Sequence, residues 1–112
     1  MDAVAKALAE PTRREILRLV TDEEHSVNEI ASHFSVSRPA ISQHLRVLHD
    51  ADLVTIRPEG THRWYRARPE GLTELRSWLD EFWTDSLRAL KTEVEQEQWH
   101  RMALERREKG NQ

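Results

Sequence analysis

Polar side chains that can hydrogen-bond to bases and phosphates recur along residues 37–49. At helical spacing, Arg38, Ser42, Gln43, Arg46 and His49 fall on one side of a helix. Arg and Gln form bidentate contacts with base edges, whereas a helix that needed only solubility would favour Glu and Lys. The pattern therefore predicts a helix that contacts DNA. Its candidate contact residues are Ser37, Arg38, Ser42, Gln43, His44 and Arg46.

Two of these candidates have a second interpretation. Ser37 is placed to cap the helix, and a hydroxyl at a helix N-terminus is also suited to a phosphate contact. His44 is expected either to pack against the fold or to bond to a phosphate.

This helix is the second of two predicted in residues 26–48, SVNEIASHFSVSRPAISQHLRVL. Ser26 has a Glu three residues later, which is the spacing of a capping box. The turn is predicted at residues 35–37, with Val36 as the apolar plug between the helices. This layout predicts a helix-turn-helix over residues 26–51. The positions expected to face the core are Val27, Ile30, Ala31, Phe34, Ile41, Leu45 and Leu48.

After this pair the apolar period changes from about 3.6 to 2, which predicts two strands over residues 53–57 and 62–67. Residues 58–61 form the expected turn, in which Gly60 is free to adopt a positive φ. A hairpin directly after a DNA-contacting helix is the wing of a winged helix, here over residues 53–67. Three candidate DNA contacts near its tip are Arg57, His62 and Arg63.

Helical spacing also predicts two helices before residue 26 and one long helix at the other end. Pro11 suits the first turn of the second helix, with Glu10 or Thr12 as its cap. On that helix, the alternatives for Arg13 and Arg14 are contact with the backbone and simple solvation of the surface, and solvation is expected. The last helix is predicted over residues 70–105, with a break near 93–98 and fraying over 106–112. The expected fold is mainly α with a small β-hairpin, a winged helix-turn-helix in one domain of residues 1–112.

The last helix carries more apolar residues than a core of this size can cover. Leu72, Leu75 and Leu79 can be interpreted as ordinary core, which is expected for the first two turns, but Trp83, Leu87, Leu90 and Val94 lie too far out. An exposed apolar row of this length normally marks a partner surface, and a two-fold dimer is the commonest assembly. The residues expected to pair two copies of the chain are Val4, Leu8, Leu79, Trp83, Leu87, Leu90 and Val94.

Charge is distributed unevenly along the 112 residues, whose net charge is −3. Residues 37–68 hold six Arg against three acidic residues, which gives +3, while the segments on either side each carry −3. A basic middle suits a protein that meets phosphate with one face. No apolar run is long enough to span a membrane, and no signal peptide is evident, so a cytoplasmic location is expected.

Nothing in the chain predicts catalysis, a metal or a cofactor. Cys is absent, which excludes disulfides and thiolate ligands, and the six His residues include no i, i+4 pair. Gly-rich phosphate loops, nucleophile elbows and paired-carboxylate motifs are also missing. An enzyme is therefore not expected.

The chain resembles the ArsR/SmtB-type winged-helix repressors of bacteria, in their metal-independent branch. The resemblance rests on ALAEPTRR at residues 7–14, SRPAISQHLRVL at 37–48, and Trp64-Tyr65. It implies a homodimer that pairs through its first and last helices, binds an inverted repeat of double-stranded DNA and represses transcription. VNEIA at residues 27–31 replaces the Cys-x-Cys of metal-sensing members, and Ser35 replaces the usual turn glycine.

Two alternatives remain open at the level of the sequence. The winged helix could be a protein-interaction module whose acidic ends carry the contact. A MarR- or PadR-like regulator with a small-molecule ligand is the closer alternative. The short N-terminal region and single C-terminal helix argue against the second alternative.

Overall fold

The computed structural model describes the backbone of residues 1–110 and the side chains of residues 1–104. Residues 1–76 form one compact unit and a second unit begins at Ser77. The order of helices and strands is the predicted one, with one added short strand. The elements are α1 (Asp2–Leu8), α2 (Pro11–Asp22), β1 (His25–Ser26), α3 (Val27–Ala31), α4 (Arg38–Asp50), β2 (Val54–Glu59), β3 (His62–Ala67), a 3-10 turn (Pro69–Leu72) and α5 (Thr73–Gly110).

Side-chain caps begin three of the helices. Glu10 caps α2, since its carboxylate accepts a hydrogen bond of 2.9 Å from the N–H of Thr12. That bond stabilises the charged carboxylate and lowers the pKa of Glu10 below its ordinary value. Ser26 and Ser37 cap α3 and α4 as predicted, each through its hydroxyl at 3.3 Å from a backbone N–H.

The core of the first unit lies where α2, α3 and α4 pack against the sheet. Its largest fully buried side chains are Ile16, Val20, Ile30, Ile41, Leu45, Leu48 and Leu53. Leu72 and Leu75 pack at its edge, as predicted. Val4, proposed from the sequence for pairing two chains, is only 8% exposed and belongs to the core of its own chain. Little of the Val4 side chain is therefore available to contact a second copy. Leu8 is half-buried and has more of its surface available.

The sheet has three antiparallel strands in the order β1-β3-β2. Because β1 has two residues and pairs far along the chain, with His25 opposite Tyr65, the sequence shows no local sign of it. Pro58 and Glu59 were predicted in the turn but belong to β2, an edge strand where a missing N–H is tolerated. The connection is therefore Gly60-Thr61, with a φ of +61° at Gly60.

The turn between α3 and α4 differs from the prediction in two ways. Val36 is 43% exposed and does not plug the space between the helices. The half-buried ring of Phe34 packs against the core two residues earlier. Ser35 does not adopt a positive φ, so the lost turn glycine causes no left-handed strain there.

The end of α4 is where this backbone takes an uncommon conformation. Asp52 has a φ of +58°, and the N–H of Leu53 donates to the carbonyl of Leu48 at 3.0 Å, which closes the helix. A Cβ on Gly71 would collide with the backbone carbonyl oxygen of Asp52. Glycine is therefore required at 71 for the segment before α5 to approach this turn.

Helix α5 has 38 residues and no break. The predicted break at residues 93–98 was wrong because that segment is rich in Glu and Gln, which are polar but good helix formers. The backbone stays helical through residues 106–110, and the rest of the predicted frayed segment, 111–112, lies outside the described residues. In the part of the chain that the structure describes, no helix has an apolar stretch sufficient to cross a bilayer.

Candidate nucleic-acid interface

Helix α4 presents one apolar and one polar face. Ile41, Leu45 and Leu48 are buried, which fixes the orientation of the helix against the core. The side chains on the outer side are exposed, as the spacing predicted. They are Arg38, Ser42, Gln43, Arg46 and His49.

A groove of about 610 Å³ separates α4 from the wing. The helix side of the groove is lined by residues that include Ser42, Gln43 and Arg46, and the wing side by Arg63 and Ile56. Two guanidinium groups from different elements therefore face one concave surface. Backbone phosphates are bound by cations placed in this way, beside a helix whose polar side chains reach the base edges.

A smaller recess of about 140 Å³ continues this surface toward the tip of the wing. Arg38, Thr61 and His62 contribute to its lining, together with Asn28 from the start of α3. The sequence interpretation missed Asn28, although an exposed Asn at the second position of α3 is a polar group beside the predicted DNA-contacting helix. Thr61 was assigned only to the turn.

The cations on this surface carry uncompensated charge. Among the residues whose side chains the structure describes, Arg38, Arg46 and Arg63 form no ion pair. Asp50 is the one acidic residue that lines the groove in this part of the chain. The surface thus suits a polyanion, despite the negative net charge of the whole chain.

His44 is not with the other candidates on the outer face of α4. It is partly buried on the flank toward α2, where Nδ1 lies 3.4 Å from Nη1 of Arg13. The same guanidinium donates to the carbonyls of Ala7 at 2.7 Å and Lys6 at 3.0 Å. His44 therefore helps to join α4 to α2 and α1.

The expectation that Arg13 and Arg14 only solvate the surface was wrong. Arg14 Nη1 donates to the carbonyl of Leu8 at 2.7 Å, beside the two carbonyls that Arg13 binds. The last carbonyls of a helix have no partner within it and carry partial negative charge. The two guanidinium groups satisfy these carbonyls and hold α1 against α2.

Arg57 differs from the other predicted DNA contacts because it already binds two carboxylates. Its Nε donates to both oxygens of Glu24, at 2.9 and 3.2 Å, and Nη1 donates to Glu59 at 3.0 Å. These bonds raise the pKa of the Arg57 guanidinium above its ordinary value. Arg57 lines neither of the two concave surfaces described above.

The second unit carries an exposed apolar surface, here called the α5 apolar face. Its side chains are 39–57% exposed, although each is large and apolar. Trp78 stacks on Phe82 with ring centroids 5.5 Å apart, and Phe82 meets the edge of Trp83 at 6.0 Å. The members of the face are Trp78, Leu79, Phe82, Trp83, Leu87, Leu90 and Val94.

Histidines gather near α3 without forming a metal centre. His25 Nδ1 lies 2.8 Å from Glu29 Oε2, and the rings of His25 and His33 meet edge to face at 6.2 Å. Among the described residues, no three His, Cys, Asp or Glu side chains converge well enough to hold a metal ion.

Comparison with known proteins agrees with this geometry. Residues 10–55 match the sequence profile described as "Bacterial regulatory protein, arsR family". The chain is 49% identical over 86 residues to the HTH-type transcriptional regulator Rv2034 of Mycobacterium tuberculosis, covering 77% of this chain and 80% of that one. It is 34% identical over 82 residues to the transcriptional repressor SdpR of Bacillus subtilis, covering 73% and 91% of the two chains.

A solved structure shows the same fold. It is the solution structure of Mb0332 from Mycobacterium bovis, described as a homodimeric winged helix-turn-helix DNA-binding domain and a possible ArsR-family regulator. It aligns with a TM-score of 0.60 and 31% identity, covering 75% of this chain and 78% of that chain. The fold, the polar outer face of α4 and these relatives lead to one conclusion: the chain belongs to the arsR family of bacterial transcription regulators, which are DNA-binding proteins and not enzymes.

Proposed function

We propose that this protein is a transcriptional repressor that binds an inverted-repeat operator as a homodimer, with α4 in the major groove. The observation that carries the proposal is the exposed outer face of α4, whose Arg38 and Arg46 are free of carboxylate partners among the described side chains. Family membership supports the same function and disfavours the MarR- and PadR-like alternative.

Each exposed residue has a proposed role that follows from its chemistry. Gln43 and Arg46 lie near the middle of the outer face and read base edges, since both side chains can form bidentate hydrogen bonds. Arg38 and Ser42 contact the phosphate backbone beside them. The hydroxyl of Ser37 accepts from the N–H of Ala40, so its role is first to cap α4.

The wing supplies the outer contacts. His62 and Arg63 are exposed at the start of β3, beside the two-residue turn. Side chains at a wing tip reach the DNA backbone or the minor groove next to the site that the helix reads. These contacts add affinity through phosphate charge and little sequence choice.

A second copy of the chain is the proposed partner of the α5 apolar face. An exposed apolar surface of this extent marks an association site in a soluble protein, and two-fold dimers are the commonest assembly. One recognition helix reads only a few base pairs, whereas two held about 34 Å apart read both halves of a palindrome. Leu8 on the first unit is a smaller proposed contributor. A regulator of bacterial operators works beside the chromosome, which places it in the cytoplasm.

The test is to select bound sequences from a random pool of DNA duplexes. The proposal predicts an enriched inverted repeat with half-sites about one helical turn apart. Binding to that duplex should weaken with salt, with a log–log slope of about −0.9 per phosphate contact. A folded dimer that enriches no sequence, and whose binding to any duplex lacks this salt dependence, would favour the protein-interaction module instead.

A further inference from the structure

We infer that Arg57 is a positioning residue that fixes the wing for DNA binding, through Glu24 and Glu59, and that it is not itself a DNA ligand. This inference rests on the proposed function. It replaces the sequence-based prediction of Arg57 as a DNA contact, and it assigns a role to Glu24, which precedes β1 and had none.

The alternation of the strands places Arg57 on the face of the wing away from α4. Ile56 and Tyr65 line the groove, and they are cross-strand neighbours in the register of β2 and β3. Successive residues of a strand point to opposite faces, so Arg57 and its neighbour Trp64 share the other face. Arg63 lies two residues before Tyr65 and lines the groove with it.

The contacts of Arg57 connect segments that are distant in the sequence. Glu24 lies 33 residues earlier, in the connection between α2 and β1, and receives Nε at 2.9 and 3.2 Å. Glu59 lies on the same strand as Arg57 and receives Nη1 at 3.0 Å. The guanidinium carbon is also 5.9 Å from the centroid of the Trp64 ring, a favourable distance for a cation and an aromatic face.

Charge balance argues in the same direction. With two carboxylates on one guanidinium, this cluster carries a net charge of −1, which does not attract phosphate. Arg63 on the same hairpin has no ion-pair partner among the described side chains. The wing therefore separates two uses of arginine, one to hold the hairpin in place and one to meet DNA.

The experiment compares operator binding by Glu24→Gln, Arg57→Gln and the double variant over a range of salt, on the duplex enriched from a random pool. Each single change should raise Kd by about two- to fivefold, the scale of a surface ion pair. The double variant should be no weaker than Arg57→Gln, because both changes break one contact. The salt slope should stay at its wild-type value. Arg63→Gln is the matched control, and its slope should become shallower by about 0.9.

A direct contact between Arg57 and phosphate would change affinity and salt slope in a different way. If Arg57 contacts phosphate, Glu24→Gln releases it and binding becomes tighter with a steeper slope, while Arg57→Gln makes the slope shallower. That outcome overturns the inference, as does wild-type affinity in all three variants.

A measurement without DNA separates this inference from the proposed function. Amide hydrogen exchange over residues 57–63 should become faster in Glu24→Gln and Arg57→Gln and stay unchanged in Arg63→Gln, while exchange in α4 stays the same. Unchanged exchange in the wing would overturn the positioning role of Arg57 even if the protein binds DNA. Faster exchange in a protein that enriches no duplex would support the positioning role and refute the operator-binding proposal.

Discussion

The exposed outer face of α4 and the α5 apolar face are both open surfaces, but they are opposite in chemistry. The α4 face carries Arg side chains that have no ion-pair partner among the described residues, with Ser and Gln, on a helix whose apolar side is buried. The α5 apolar face carries Trp, Phe, Leu and Val that are 39–57% exposed. Water solvates the first surface well and the second poorly.

This difference in chemistry shows which of the two surfaces is stable in water without a partner. The polar face of α4 needs no partner to be stable, and the proposed role of its Arg, Ser and Gln is to bind phosphates and base edges. The α5 apolar face has an unfavourable exposure that a second copy would remove. We therefore expect changes on the two faces to separate DNA reading from self-association.

The largest expected effect comes from Leu87→Glu on the α5 apolar face. A buried charge without a partner in an apolar interface costs about 3–5 kcal/mol, so the dimer should become a monomer at micromolar concentration. Light scattering measures the mass. Thr92→Glu is the control because Thr92 lies about 140° around α5 from Leu87, and it should remain a dimer. An unchanged mass for Leu87→Glu would remove the α5 apolar face as the dimer surface.

Arg13→Ala tests whether α4 is held by polar contacts as well as by its apolar side. The change removes hydrogen bonds to the carbonyls of Lys6 and Ala7 and the contact with His44. The free energy of unfolding should fall by about 1.5–3 kcal/mol, the range for hydrogen bonds to a charged group. Urea denaturation measures it, with Arg18→Ala as the control, since among the described side chains Arg18 pairs only with exposed Glu15. Equal stability of the two variants would contradict the bracing role.

Arg46→Ala acts on the α4 face alone. Operator binding should weaken by about 1–3 kcal/mol, while the mass and melting temperature remain those of the wild type. Binding titrations on the selected duplex measure the change. Arg66→Ala, at an exposed position on β3 that lines neither concave surface, is the matched control. Wild-type affinity in Arg46→Ala would show that α4 is turned differently on the DNA.

The smallest expected effect is the acid dependence that Glu10 contributes. Its pKa is lowered in the folded state by the N–H of Thr12, so folding is favoured by the charged carboxylate. This contribution is present above the ordinary pKa of a glutamate and is lost as the pH falls through the lowered folded value. Urea titrations between about pH 6 and 3 should show a weaker pH dependence for Glu10→Gln than for the wild type. Identical pH dependence would mean that the cap does not act through charge.

Local patterns predicted most of the fold and most of the α4 face. Caps, helical spacing and strand alternation involve neighbours in sequence, so Ser26, Ser37 and the buried side of α4 could all be read directly. The outer face of α4 follows from the same periodicity. The contact of His44 on the flank of α4 with Arg13 could not be predicted in this way, because the two residues are 31 positions apart in the sequence.

The features that were missed or wrongly predicted are of two kinds. Some depend on partners that are distant in the sequence, and others were predicted from polarity alone, which is a weak guide to burial and to helix breaks. Strand β1 was missed because it forms only against the edge of β3, and the ion pair of Arg57 with Glu24 was missed because Glu24 lies 33 residues away in the sequence. Val36 was predicted to plug the space between α3 and α4 because it is apolar, but it is 43% exposed, whereas Phe34 packs against the core as predicted. The predicted break in α5 at residues 93–98 was wrong because Glu and Gln, although polar, favour a helix.

Binding to duplexes that carry the two selected half-sites at varied spacing tests the central claim most directly. Two recognition helices held by one dimer fix the distance and the rotation between half-sites. The account predicts a large loss of affinity when about five base pairs, half a helical turn, are inserted between them. Affinity that does not depend on spacing, or that equals the affinity for one half-site, would contradict a dimer that reads both halves of its operator.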